Sequence, residues 1–151
     1  KHHRKVSLSL SDPFCVNRHR DSFLQLIKNG IDILFCNEDE IKALFGTDNA
    51  EEAFEKCKTL CETVVVTRGA KGAVAICGET RYEIPAEPIN RVIDTTGAGD
   101  LFAAGYLTGL SQNRPVSECL QMGALAAAEI ISHYGARPEV SLSDLVAKKV
   151  G

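Results

Sequence analysis

The stretch Asp94-Thr95-Thr96-Gly97-Ala98-Gly99-Asp100-Leu101-Phe102 constrains this chain more than any other part of it. Two glycines flank one alanine, leaving the backbone almost bare. An acid follows, and then an apolar run of helical character through Leu101, Phe102, Ala103, Ala104, Tyr106 and Leu107. This composition predicts a tight turn that feeds a helix N-terminus. Gly97 and Gly99 are expected to take backbone conformations closed to other residues, so that successive N–H groups point into one concavity. The unpaired N–H groups of a helix's first turn and the positive end of its dipole would make that concavity attractive to an anion.

A carboxylate beside an anion site repels the ligand unless it has a task there. For Asp100 the fitting task is general base: it takes the proton of an attacking hydroxyl while the turn's N–H groups absorb charge on a transferred phosphoryl group. The plainer alternative is that Asp100 caps the helix, as aspartate often does.

Elsewhere strand and helix patterns alternate. Val6–Leu10 reads as a strand closed by a turn at Ser11-Asp12-Pro13, and a chain that opens in a strand is expected to begin partway through a larger fold. Phe23, Leu24, Leu26 and Ile27 form a helical face that stops at Asn29-Gly30. Residues 31–36 read as a strand covered on both faces, and a helix bearing Ile41, Leu44 and Phe45 ends at Gly46. Between them lies Asn37-Glu38-Asp39-Glu40, at the strand edge where open α/β sheets bind ligands. Residues 50–60 predict a helix, 63–67 and 73–77 buried strands, and 81–84 a short strand, with Pro85 and Pro88 enforcing an extended path. The glycines of Arg68-Gly69-Ala70-Lys71-Gly72 make a hairpin turn or a ligand-facing loop, but their spacing is not that of a P-loop. A helix over 101–110 precedes one opened by Pro115. The second has a small-residue surface at Gly123, Ala124, Ala127 and Ala128, which suits close helix packing or a flat ring. It is expected to end at Gly135-Ala136-Arg137-Pro138, before a last amphipathic helix over 142–149. The fold class implied is α/β, a layered sandwich with a largely parallel sheet.

A length of 151 residues with 44% hydrophobic content suits one domain, 1–151, with a real core. Net charge is −3, and the one basic cluster is Lys1-His2-His3-Arg4-Lys5 at the N-terminal end, so no nucleic-acid partner is expected. The six cysteines form no Cys-x-x-Cys pair, and Cys57 and Cys61 have no nearby histidine to complete a zinc set. They read as reduced thiols. No apolar run spans a bilayer, so no membrane association is expected and the cytoplasm is the default compartment.

The string from Asp94 to Phe102 resembles the second signature of the PfkB family of carbohydrate and nucleoside kinases, Asp-Thr-x-Gly-Ala-Gly-Asp-x-Phe, at every fixed position. The resemblance runs from about Val6 to Val146 but covers only the C-terminal part of a ribokinase-like kinase. It therefore implies a nucleotide-binding and catalytic part whose acceptor site, first glycine-rich signature and small β lid belong to an N-terminal half of the same protein. Asp100 would be the catalytic base and Gly97, Ala98 and Gly99 the anion hole. Asn37 and Glu40 resemble a motif that organises Mg2+ and the phosphates of ATP. Thr67, Gly69 and Gly72 resemble a segment lying along the nucleotide, and the adenine would lie near the helix carrying Ala124, where ribokinases often have asparagine. By the same resemblance Asp94 and Thr96 would hold the loop or a monovalent cation such as K+.

Residues 8–14 and 32–38 are more similar to the adenosine kinase branch than to ribokinases or fructokinases. The implied reaction moves the γ-phosphoryl of ATP to a hydroxymethyl group of adenosine or another nucleoside. A sugar kinase and a non-catalytic ATP-binding fragment are the alternatives, and a homodimer is left open. A dinucleotide-dependent oxidoreductase is disfavoured because Phe102 stands where the third glycine of its fingerprint belongs.

Overall fold

The computed structural model describes residues 4–151; Lys1, His2 and His3 of the basic cluster lie outside the described residues. The chain forms two compact units. One comprises the chain through Arg68 together with Val74–Arg81, and the other comprises Gly69–Ala73 and Tyr82–Gly151.

In the first unit, strands β1 (Ser7–Ser9), β2 (Ile33–Asn37) and β3 (Thr63–Thr67) run parallel, with Leu8 beside Leu34 and Leu34 beside Val64. β2 and β3 are buried along four of their five residues, as an apolar run covered on both faces requires. Helices α1 (Pro13–Arg18), α2 (Arg20–Gly30), α3 (Glu38–Phe45) and α4 (Ala50–Cys57) contribute Val16, Ile27, Ile41, Leu44, Ala53 and Phe54 to the core against Leu34, Val64 and Val66. The Ser11-Asp12-Pro13 turn opens α1, a helix not expected from the sequence. The Asp12 side chain accepts the Phe14 N–H as N-cap and Pro13 takes the first turn, where a missing N–H costs nothing. Gly46 closes α3 in the left-handed conformation, beside the Arg20 guanidinium, whose Nε donates to the Ala43 carbonyl at 3.0 Å.

The sheet continues through β4 (Ala73–Cys77) and β5 (Thr80–Ile84), in the order β1-β2-β3-β4-β5. The connections 68–72 and 78–79 are far too short for a parallel crossover. β4 therefore opposes its neighbours, while the other four strands share one direction, which makes the sheet mixed and mostly parallel.

In the second unit, residues 85–97 lead into α5 (Ala98–Ser111), α6 (Val116–Ile130) and α7 (Leu142–Lys149). α5 and α6 approach through glycines. A methyl group on Gly105 would stand 2.5 Å from the Met122 carbonyl oxygen, and one on Gly123 would stand 2.8 Å from that of Phe102. α6 ends at Ile130, five residues before Gly135, so residues 131–140 form a separate loop rather than the helix's last turn. Among the described residues no helix is long and apolar enough to cross a membrane, and all six cysteines are free thiols.

Candidate active site

α5 begins at Ala98, three residues earlier than its apolar pattern suggests, because Ala98 N–H donates to the Thr95 carbonyl at 3.1 Å and Leu101 N–H to that of Gly97 at 2.9 Å. Gly97 is the N-cap residue with φ +80°, so it carries no side chain to cap the helix. The first-turn N–H groups of Gly99 and Asp100 thus lie at an uncapped, positive helix end. Asp100 sits at the third helical position. It is exposed, and its carboxylate has no partner among the described residues. The capping reading fails on this geometry, since the cap position belongs to Gly97.

Gly99 corrects the sequence reading in another way. It is helical rather than left-handed, and a methyl group added there would meet nothing within 4 Å. Only Gly97 needs glycine for its backbone; at Gly99 the bare position leaves open space beside the helix end.

The loop before α5 is tied to the loop after α6. Asp94 Oδ1 accepts from the Thr96 N–H at 2.9 Å and from Thr96 Oγ1 at 2.7 Å, while Asp94 Oδ2 accepts from the Gly135 N–H at 3.0 Å. The Thr96 bonds, with the Gly135 bond behind them, hold the Asp94 carboxyl below the usual aspartate range. Ile93 N–H donates to the Ile131 carbonyl at 2.8 Å. Sequence reading gave Gly135 and Ala136 only a helix-stopping role, and no local pattern announces a partner 41 residues away.

At the C-terminal end of β2, Asn37 and Glu40 form a reciprocal capping box. Asn37 Oδ1 accepts the Glu40 N–H at 2.8 Å, and the Glu40 carboxylate accepts the Asn37 N–H at 2.9 Å and its Nδ2 at 3.0 Å. Glu40 is 5% exposed, and burial pushes its carboxyl up against the opposing pull of the Asn37 N–H. Both Glu40 oxygens are engaged by Asn37, so a Mg2+ ion held here would keep several of its waters, as Mg2+ commonly does, rather than take a free carboxylate. Among the described residues no three His, Cys, Asp or Glu side chains cluster as a metal cage.

Thr67 pairs directly with Asn37 in the β2–β3 register, which brings these two residues together at the carboxyl edge of the sheet. Gly69 and Gly72 flank a single 3-10 turn, with φ of +57° and +89°. A methyl group on Gly72 would fall 2.0 Å from the Ile84 carbonyl oxygen, whereas one on Gly69 would meet nothing within 4 Å. Gly72 therefore answers to chain packing and Gly69 to its turn. Ala124 is buried at 8% exposure within α6. The neighbouring face of α6, with Leu125, Ala128 and Glu129, borders a cleft of about 460 Å³ walled by Pro88, Ile89 and Leu145.

Comparison with known proteins supplies the family. The chain is 36% identical over 119 residues to the cytidine kinase of Thermococcus kodakarensis, covering 77% of this chain and 42% of that protein. It superposes on the adenosine kinase of Sinorhizobium meliloti with a TM-score of 0.95 at 40% identity, covering 99% of this chain and 46% of the other. It also superposes on the Arabidopsis thaliana ribokinase complexed with ribose and ATP, with a TM-score of 0.74 at 30% identity, covering 94% and 47%. The chain thus spans just under half the length of each of these relatives. Residues 1–142 match the pfkB family carbohydrate kinase pattern, and the chain belongs to that family of carbohydrate and nucleoside kinases.

Proposed function

We propose that this chain is the nucleotide-binding and phosphoryl-transferring part of an ATP-dependent kinase, with Asp100 as general base and Gly97, Ala98 and Gly99 as the anion hole. The observation that carries this reading is the juxtaposition at the head of α5: an uncapped helix end, open space at Gly99, and an exposed carboxylate with no partner among the described residues. In the reaction, the acceptor hydroxyl gives its proton to Asp100 and its oxygen bonds to the γ-phosphorus as the bond to the β-phosphate oxygen breaks, releasing ADP. The N–H groups at the helix head stabilise the charge on the transferring group. Mg2+, when bound, neutralises charge on the phosphates; Asn37 and Glu40 organise its surroundings, while Thr67 and Gly69 border the nucleotide. The adenine rests against the small-residue face of α6 near Ala124. Asp94 and Thr96 fix the loop, and a K+ ion beside it is part of the same proposal.

For the acceptor, residues 8–14 and 32–38 favour adenosine, in keeping with the similarity to the Sinorhizobium enzyme. The similarity to the Arabidopsis ribokinase supports ribose as the second reading. The acceptor site and lid belong to the remainder of the kinase, so the 151-residue chain alone phosphorylates neither compound. A correctly held acceptor is worth on the order of 7–11 kcal/mol of barrier. Cytoplasmic residence is part of the same proposal.

Asp100→Asn in the full-length kinase tests the assignment. It is expected to keep ATP affinity and lower turnover about 10²–10⁴-fold, because the amide keeps the shape and loses the basicity. Near-wild-type turnover would remove Asp100 from the mechanism.

A further inference from the structure

The loop that follows α6 is built around a carboxylate that the catalytic reading does not use. Glu129, in the last turn of α6, has a side chain only 8% exposed. Its Oε1 accepts from His133 Nε2 at 3.1 Å and from the Glu139 N–H at 2.9 Å, so one oxygen pins both ends of the segment between them. Its Oε2 is buried with no hydrogen-bond partner among the described residues. A half-satisfied buried carboxylate is costly and calls for an explanation.

The pinned segment is the one that holds the head of α5. Within it, Gly135 donates its N–H to Asp94, and Ala136 lies against Gly97. Just before it, the Ile131 carbonyl accepts the Ile93 N–H. The anion-hole loop is thus held at three points by residues 131–136, and that stretch is held in turn by Glu129.

We infer that Glu129 and His133 are positioning residues for phosphoryl transfer, setting the anion-hole loop through Gly135 and Ala136 without touching substrate. This inference rests on the kinase reading above. A side chain of the same size without acceptors at 129 would leave the Glu139 N–H and His133 unheld, and the loop carrying Gly135 would relax away from Asp94. Misplacement of an anion hole by about 1 Å can cost about 10²-fold in rate. The surroundings of His133 favour its protonated ring, which fits this role. Burial opposes it, but the Tyr134 carbonyl, Glu129 and Glu139 outweigh that effect and raise its pKa.

The test compares Glu129→Leu and Glu129→Gln in the full-length kinase by steady-state kinetics and by hydrogen exchange. Glu129→Leu should lower kcat per folded molecule about 10²-fold with the acceptor KM little changed. It should also speed amide exchange at residues 94–100 as well as 133–139 by about tenfold. Glu129→Gln, which keeps an acceptor oxygen, should recover most of both. The inference is overturned if exchange rises only at 133–139, or if Glu129→Leu leaves kcat unaltered. If Glu129→Leu does not fold, His133→Phe removes one of the two bonds and carries the same measurements. The exchange arm needs no catalysis, so an Asp100→Asn enzyme of near-wild-type turnover would remove Asp100 from the mechanism while leaving the coupling between the two loops to be judged by itself.

Discussion

Gly97 and Ala136 approach so closely that a methyl group on Gly97 would stand 2.8 Å from the Ala136 Cβ, and Gly97 holds φ at +80°. Gly97→Ala should therefore combine backbone strain with a collision and destabilise the fold by about 1–3 kcal/mol. Gly99→Ala meets no protein atom and replaces a helical glycine, so the fold should be unharmed or gain up to about 1 kcal/mol. Its methyl group would nevertheless enter the open space where the proposed mechanism puts the transferring phosphoryl group. Melting temperature and kcat measured together on both variants separate the cases. A Gly99→Ala enzyme of full activity would show that no ligand group uses that space.

Acid should loosen the same loop. The Asp94 carboxyl is held below its ordinary range by hydrogen bonds to Thr96 and Gly135. For an acid with a depressed folded pKa, the stabilisation is complete above the unfolded value, about 3.9, and is lost as pH falls through the folded one. The Gly135 amide resonance should shift as Asp94 titrates, and Asp94→Asn should abolish that shift. A shift that persists in Asp94→Asn would assign it to another group.

Thiol reactivity should follow burial. Cys15 is exposed, whereas burial, with Cys61 nearby, pushes the Cys57 thiol up to about 12, and burial raises the Cys36 thiol well above its usual value. Iodoacetamide at neutral pH should label Cys15 first and leave Cys36 and Cys57 unmodified until unfolding, because the thiolate is the reactive form. Mass spectrometry of the peptides reads the order directly. Early labelling of Cys57 would contradict its placement in the core.

Gly105→Ala should be among the most damaging small changes in α5. Its methyl group would stand 2.5 Å from a backbone carbonyl of α6, which no rotamer change relieves. A loss of about 1–3 kcal/mol in chemical denaturation is expected. An unchanged midpoint would mean that the two helices separate without cost.

Much of the layout was legible because burial patterns are local. The apolar runs at 63–67 and 73–77 match β3 and β4 residue for residue, and the amphipathic 142–149 matches α7. Asp12-Pro13 misled because the same pair suits a turn and a helix start; only the Asp12 bond to the Phe14 N–H distinguishes them. Gly97 and Gly99 look alike in sequence, yet one is left-handed and the other helical, a difference set by where Thr95 and Gly97 accept their hydrogen bonds. The hold of Gly135 on Asp94 and of Glu129 on the loop joins residues that no periodicity links. They are met only when α6 brings its far end back beside the start of α5.

The glycine-mediated approach of α5 and α6 has a mechanical corollary. Backbone lies against backbone at Gly105, so α5 is gripped there as by a vice. From its last close contact, Phe102 against Gly123, to Ala98 the helix projects four residues, a cantilever of about 6 Å at 1.5 Å per residue. A beam so short and so firmly seated bends little, and its tip carries Gly99 and Asp100. Whatever play the head of α5 has must therefore enter through the strut at its tip, residues 131–136, and not through the beam.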